Sequence, residues 1–375
     1  MTALLELFLE LAALPTPPGA ERAAADRVAA YLGEVGVDVD EDEAGRRIDA
    51  SAGNLLARLP GAEADGAGVP IFLCAHLDTV PPEGALEPIV EDGVVRNAGG
   101  TILGADNKAA VAVMLEAARR VVHESRSHAG IELLFTPKEE VGLLGAGAFD
   151  HTRLRARAGF VYDLAAPIGD VVLGAPTHQS LVLRFHGRAA HAGMCPEDGR
   201  SAIVAAAKAV ADMRLGRIDD ETSTNVGLIH GGSARNIVPE WCSVEAEVRS
   251  HDPAKVGELV QEIVDAATFG AGLSECELEA TVEQVYRGYR FSRSDQPIRL
   301  AADALERSGI EPRYVLTGGG ADANVFNERG LPCVNLANGM IDIHTPEERI
   351  AVADLERMVE VTLALVDVAR DGAAA

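Results

Sequence analysis

The sequence predicts an α/β fold with a mostly parallel central sheet, interrupted by an inserted α+β sandwich. Three observations carry this expectation. Short apolar runs end in polar residues, apolar stretches of helical length separate them, and the texture changes near Gly174 and changes back near Gln296. A chain of 375 residues is also long enough for two domains of roughly 150 residues each.

Taken in order, residues 3–13 read as a short helix stopped by Pro15-Thr-Pro17-Pro18-Gly19, and a second helix follows to about Gly33. Ile71-Phe-Leu-Cys-Ala75 is a continuous apolar run of strand length, the pattern of a strand buried on both faces. Asn107 to Val122, rich in Ala, Val, Met and Leu, predicts a helix, and Ile131–Phe135 and Gly159–Tyr162 predict further buried strands. Strands alternating with helices make a parallel sheet. Beyond Gly174 the pattern differs. Leu181–Phe185 alternates, a helix covers about Ser201–Met213, and Val226–Ile229 and Ser243–Val248 look like half-exposed strands. A helix over 253–268 and a strand near 276–283 complete a small α+β sandwich with one open face. The first texture then resumes with a helix over 296–308, a loop at Gly318-Gly-Gly320, a strand over 331–336 and a final helix from about 352. The expected layout is a discontinuous domain of residues 1–175 and 289–375, with 176–288 inserted.

Composition narrows the partners. With 47% hydrophobic, 24% charged and 4% aromatic residues, the chain is an ordinary globular sequence whose core leans on Ala, Val, Leu and Ile. A balance of 33 basic against 58 acidic residues repels phosphate backbones and argues against nucleic acid as a partner. No stretch approaches the ~18 uncharged apolar residues of a spanning helix, so no membrane is expected. The first ten residues lack a basic segment and are interrupted by Glu6 and Glu10, unlike a signal peptide. Five cysteines without a C-x-x-C spacing point to a reducing compartment and a cytoplasmic protein.

Residue types able to bind metal cluster where the predicted strands end. His76 and Asp78 lie two apart in extended backbone and face the same way. His76 can then ligate while Asp78 receives its other ring N–H, and the pair equally fits a purely structural strand end. Asp106 directly precedes a helix, where it fits an N-cap as well as a carboxylate bridging two cations. Glu139-Glu140 follows a buried strand; adjacent side chains diverge, so one can ligate while the other moves protons, or both can sit on a solvated turn. Asp163 ends another strand and His344 lies in Ile341-Asp-Ile-His-Thr-Pro346. The ends of a parallel sheet are where α/β folds place their sites. Mixed N/O donors without thiolate suit Zn²⁺, Co²⁺ or Mn²⁺, and such a set would serve two-metal hydrolysis. Gly318-Gly-Gly320 and Gly99-Gly100 match no nucleotide-binding pattern.

In their order the motifs resemble one family, the dinuclear-zinc exopeptidases and deacylases. They are Ala75-His-Leu-Asp78-Thr-Val-Pro, Gly104-Ala-Asp106-Asn-Lys, Thr136-Pro-Lys-Glu139-Glu140-Val-Gly, Tyr162-Asp163, Gly187-Arg-Ala-Ala-His191-Ala-Gly, Gly231-Gly232 with Asn236-Ile-Val-Pro239, and Ile343-His344-Thr. Thr136-Pro-Lys-Glu-Glu, Phe160-Val-Tyr-Asp163 and Thr317-Gly-Gly-Gly-Ala-Asp-Ala-Asn324 look most like its peptidase T branch, which removes N-terminal residues from tripeptides. The resemblance implies two divalent ions, most often Zn²⁺ with Co²⁺ or Mn²⁺ as alternatives. His76 and Asp163 would hold the first, Glu140 and His344 the second, and Asp106 would bridge. Asp78 would orient His76, and Glu139 would be the general base for a water bridging the metals. A cis peptide after the bridging aspartate is also implied. The inserted domain would be a lid and homodimerisation domain in which His191 stabilises the oxyanion and Asn236 and Arg249 bind a short peptide substrate. Alternatives within the family are a dipeptidase, a carboxypeptidase or an N-acyl-amino-acid deacylase. An alternative of another class is a catalytically silent peptide-binding homologue.

Overall fold

Four largely buried strands, Ile131–Thr136, Ile71–His76, Ala158–Leu164 and Cys333–Ala337, lie side by side and run parallel. They come from a computed structural model that describes residues 2–59 and 68–372. In the first two, every residue is buried, which is why the sequence there is apolar without alternation. The helix Ala105–His123 packs on Ile71–His76 and Ala158–Leu164, and Val352–Asp371 packs on that helix. This core includes Phe8, Leu11, Val28, Leu73, Phe135, Phe160, Tyr162 and Leu365. Each fully buried Leu or Phe contributes on the order of 1.5–3 kcal/mol. Parallel alignment matters for function because it brings the carboxyl ends of all four strands to one edge, with His76 paired to Thr136 in register.

The sheet extends beyond the sequence expectation. Leu55–Leu59 and then Val39–Glu41 add antiparallel strands beside Ile131–Thr136, and Asp170–Ala175 pairs antiparallel with Cys333–Ala337. A separate small sheet combines Pro88–Glu91, Val94–Asn97 and Arg349–Ala351. These strands are three to six residues long, too short for periodicity to register. The second helix runs over Arg22–Val35, past Gly33, because the left-handed stop is Gly36 at φ 83°, where the Val37 N–H returns to the Leu32 carbonyl.

The described chain divides into two compact units, one of Met1–Leu173, Arg290–Leu316 and Ala321–Ala375, the other of Gly174–Tyr289 and Thr317–Gly320. The second unit has an antiparallel sheet in the order Gly216–Asp219, Thr222–Gly231, Trp241–Ser250, Thr177–His186, Glu277–Tyr286. Leu181, Leu183 and Phe185 are buried under helices Ala202–Asp212 and Pro253–Gly272, while Arg184 between them is exposed. The alternation in the sequence is this one-sided burial. Ser201 caps the first helix by accepting the Val204 N–H, and Asp252 caps the second with Pro253 at its first position. Among the described residues no helix is long and apolar enough to cross a membrane, and the five cysteines are free.

Candidate metal centre

His76 is the last residue of its strand and is buried. Its Nδ1 donates to the Asp78 main-chain carbonyl at 2.9 Å, while the Asp78 carboxylate lies 3.6 Å from that nitrogen. Asp78 thus receives the ring N–H through its main chain rather than its side chain. Both of its oxygens are already engaged, one accepting the Glu139 N–H at 3.0 Å and the other the Glu140 N–H at 3.1 Å. Asp78 thus orients the ring through its main chain and holds the glutamate pair through its side chain.

The free nitrogen, Nε2 of His76, sits 3.1 Å from Oδ1 of Asp106 and 3.7 Å from Oδ1 of Asp163. The other oxygen of Asp106, Oδ2, is 3.2 Å from Nε2 of His344, and that nitrogen is 3.1 Å from Oε1 of Glu140. The five side chains therefore alternate acid and imidazole, with Asp106 in the middle and one of its oxygens turned to each histidine. The helix that follows is capped at Gly104, at φ 74°, without a side-chain capping bond. Asp106 and Asn107 are non-helical, with a cis peptide between them. The carboxylate is accordingly not spent on the helix end.

Glu139 and Glu140 sit in a turn bracketed by two residues in the left-handed region, Lys138 at φ 55° and Leu143 at φ 60°. His344 is also left-handed, at φ 63°. Such conformations cost energy for residues with a Cβ and tend to be kept where a side chain must be aimed. Two overlapping trios, His76 with Asp106 and Glu140, and His76 with Glu139 and Asp163, have potential ligand atoms within 4.8 Å of one another.

The electrostatics follow from burial and from the crowding of acids. Burial, followed by the charge of nearby groups including Asp163, pushes the Glu139 carboxyl well above the usual carboxylate range. Burial and then Asp106 do the same to Asp163. Burial would lower the His76 imidazole, yet its bonds to Asp106 and Asp163 hold it well above its ordinary value, and Asp106 and Glu140 push His344 up to about 10. Among the described residues no lysine or arginine pairs with Asp106, Glu139, Glu140 or Asp163. Buried carboxylates need compensating positive charge. A nitrogen and oxygen donor set of this kind, alternating about a central carboxylate, fits a pair of borderline divalent cations.

Some contributors carry no motif. Asn335, on the neighbouring strand, fixes the Asp163 main chain twice, accepting its N–H and donating to its carbonyl, each at 2.9 Å. Its one visible signal is a polar residue inside the apolar run Cys333-Val-Asn-Leu. Buried Asp322 accepts from the Thr136 hydroxyl at 2.5 Å, behind the strand end that leads to Glu139. Glu348 is buried against the segment that carries Asp106.

The remaining candidates belong to the second unit. His191 and Asn236 are exposed neighbours, joined by a bridge between His191 and Ile237 and by the Ala192 N–H donating to the Asn236 carbonyl at 3.0 Å. The Gly193 N–H donates to Nδ1 of His191 at 3.2 Å, so the neutral ring carries its proton on Nε2. Arg249 donates to Glu247 at 2.9 Å and to the Tyr286 hydroxyl at 3.2 Å.

Comparison with known proteins gives consistent results. A family model described as peptidase family M20/M25/M40 matches residues 72–368. The chain is 37% identical to the uncharacterised protein YqjE of Bacillus subtilis, over 97% of each sequence. Among solved structures it is similar to the aminopeptidase PepT of Bacillus cereus, with 37% identity, 98% of each chain covered and a TM-score of 0.86. It is likewise similar to a tripeptidase of Staphylococcus aureus, with 34% identity, 98% of each chain covered and a TM-score of 0.91.

Proposed function

The chain belongs to the M20/M25/M40 peptidase family, and on that premise we propose that it is a metal-dependent aminopeptidase that removes the N-terminal residue from tripeptides and other short peptides. The observation that carries this reading is the alternating row Asp163, His76, Asp106, His344 and Glu140, to which no lysine or arginine is seen paired among the described residues. The choice of substrate is supported by what the similar proteins of B. cereus and S. aureus are, an aminopeptidase and a tripeptidase.

In this reading His76 and Asp163 would hold one divalent ion, Glu140 and His344 a second, and Asp106 would serve both; zinc suits these donors best, with cobalt or manganese as alternatives. When bound, the ions supply Lewis-acid polarisation of the scissile carbonyl and lower the pKa of water. Glu139, buried beside the residues that would hold the ions, takes the proton of the attacking water as the water oxygen bonds to the carbonyl carbon. It then returns that proton to the peptide nitrogen as the C–N bond breaks, so the amine leaves neutral. The His191 Nε2–H is the donor for the oxygen that becomes negative, an interaction worth about 3 kcal/mol in comparable sites. Asn236 and Arg249 bind the peptide main chain and its carboxylate, Arg249 through its planar fork.

The second unit serves as lid and homodimerisation domain, a role supported by its exposed Leu228, Ile229 and Trp241. A cytoplasmic location is supported by the free cysteines. The test is hydrolysis of trialanine, its N-acetylated form, dipeptides and N-acyl amino acids, with and without chelator. Release of alanine from free trialanine, abolished by chelator, is expected. Cleavage of N-blocked substrates alone would make the protein a deacylase or carboxypeptidase, and cleavage of none would make it a silent binding homologue.

A further inference from the structure

Glu348 is 1% exposed and lies on no strand or helix. Its carboxylate is wrapped by main-chain donors: Oε2 accepts the N–H groups of Leu103 and Gly104, both at 2.8 Å, and Oε1 accepts the N–H of Asp106 at 2.9 Å. Successive N–H groups converging on one anion form a nest, here closed by the left-handed turn at Gly104. Bonds from N–H groups to an ionised acceptor are roughly twice as strong as neutral ones.

The other end of Glu348 is equally fixed. It sits inside the loop 341–349, which is closed by two main-chain bonds between Ile341 and Arg349, at 3.0 and 3.1 Å. The Glu348 N–H donates to the Thr345 carbonyl at 3.2 Å, one residue beyond His344. A single side chain therefore ties the segment that presents His344 to the segment that presents Asp106. These two side chains meet at 3.2 Å, from Nε2 of His344 to Oδ2 of Asp106.

We propose that Glu348 is a positioning residue for the metal centre: its carboxylate fixes the 103–106 main chain, and with it the direction of the bridging Asp106 carboxylate, relative to the loop that carries His344. This inference rests on the reading of Asp106 as a bridging ligand. It adds an acid that would neither ligate nor transfer protons, and whose removal would nonetheless loosen the ions. Residues that orient ligands in this way typically cost 10–100-fold in metal affinity or activity when changed, an order-of-magnitude expectation.

Glu348→Gln keeps the volume but places an amide N–H₂ where a main-chain donor needs an acceptor. Zinc binding to metal-stripped protein, measured in zinc-buffered solution, should weaken by about 10–100-fold in this variant. Saturating zinc should restore the wild-type stoichiometry and most of kcat with KM unchanged. Glu347→Gln, on the same loop but exposed, should bind zinc like wild type. Hydrogen exchange of the metal-free protein tests the tie without any metal: the Leu103, Gly104 and Asp106 amides should exchange slowly in wild type and faster in Glu348→Gln. Unchanged zinc affinity in Glu348→Gln, or fast exchange of these amides in wild type, overturns the role of Glu348. Failure of the wild type itself to bind zinc would instead overturn the reading of the metal centre, and the exchange comparison would still decide whether the tie exists.

Discussion

In the second unit, Glu247 meets His178 at 3.1 Å and Arg249 at 2.9 Å, and Arg249 reaches on to the Tyr286 hydroxyl. In the first unit, Asp106, Asp163, Glu139 and Glu140 gather around two imidazoles, with buried Asp78 behind them and no lysine or arginine among the described partners. The first group is closed in charge, a carboxylate with a guanidinium and an imidazole beside it. With all its carboxylates ionised, the second is short of positive charge even with both imidazoles protonated. Burying a charge without its counterpart is expensive. A fold that keeps such a deficit while closing another elsewhere points to a ligand that makes it up. The deficit lies at the carboxyl ends of the parallel strands, the closed group on the antiparallel sheet.

Four substitutions or conditions would break or sharpen this contrast. The largest effect belongs to Glu139→Gln, which should lower kcat by about 10²–10⁴-fold while metal content stays the same. Turnover equal to wild type would strip Glu139 of its role. Next, divalent ions added to metal-stripped protein at about a thousand times their Kd should raise the unfolding free energy by about 4 kcal/mol. Melting curves that coincide with and without the ions would mean that the open cluster is not a metal site. A smaller change is expected in His344→Ala, which should retain one ion where the wild type holds two, and full occupancy would remove His344 from the ligand set.

The smallest effect tests the closed cluster. His178 first, and then Arg249, hold the Glu247 carboxyl at about 2, below its ordinary 4.5. A depressed carboxyl contributes stability that is present above the ordinary value and lost as pH falls through the folded one. Wild type should therefore lose stability between about pH 4.5 and pH 2 more steeply than Glu247→Gln. With a third of the Glu247 side chain exposed, solvent screening keeps the difference modest. Parallel acid unfolding curves would show that the pair contributes nothing.

What the sequence made legible follows the same contrast. Segments whose burial sets a plain pattern were readable: Ile71–His76 as an unbroken apolar run, Ala105–His123 by its helical length and Leu181–Phe185 by alternation. The candidate site was legible in its residue types, since each histidine or acid has a structural reading alone but the ordered set at the ends of apolar runs resembles one family. The residues that position the candidate ligands were not. Asp78 was legible as a neighbour of His76, but that its carboxylate would grip Glu139 and Glu140, 61 and 62 residues away, depends on strand order. Glu348 acts on Leu103 across a separation of 245 residues, and Asn335 on Asp163 across 172. Bonds from a side chain to a distant main chain demand a particular place rather than a particular pattern. Short edge strands such as Val39–Glu41 were invisible for the simpler reason that three residues carry no period.

The central claim is that the uncompensated acids of the first unit are compensated by divalent ions shared through Asp106. Elemental analysis of wild type and Asp106→Asn, each reconstituted with zinc and then desalted, tests it most directly. Two ions per wild-type chain and a loss of bound zinc in Asp106→Asn are predicted. A wild-type chain that retains no ion, or an Asp106→Asn chain that keeps both, would contradict the account.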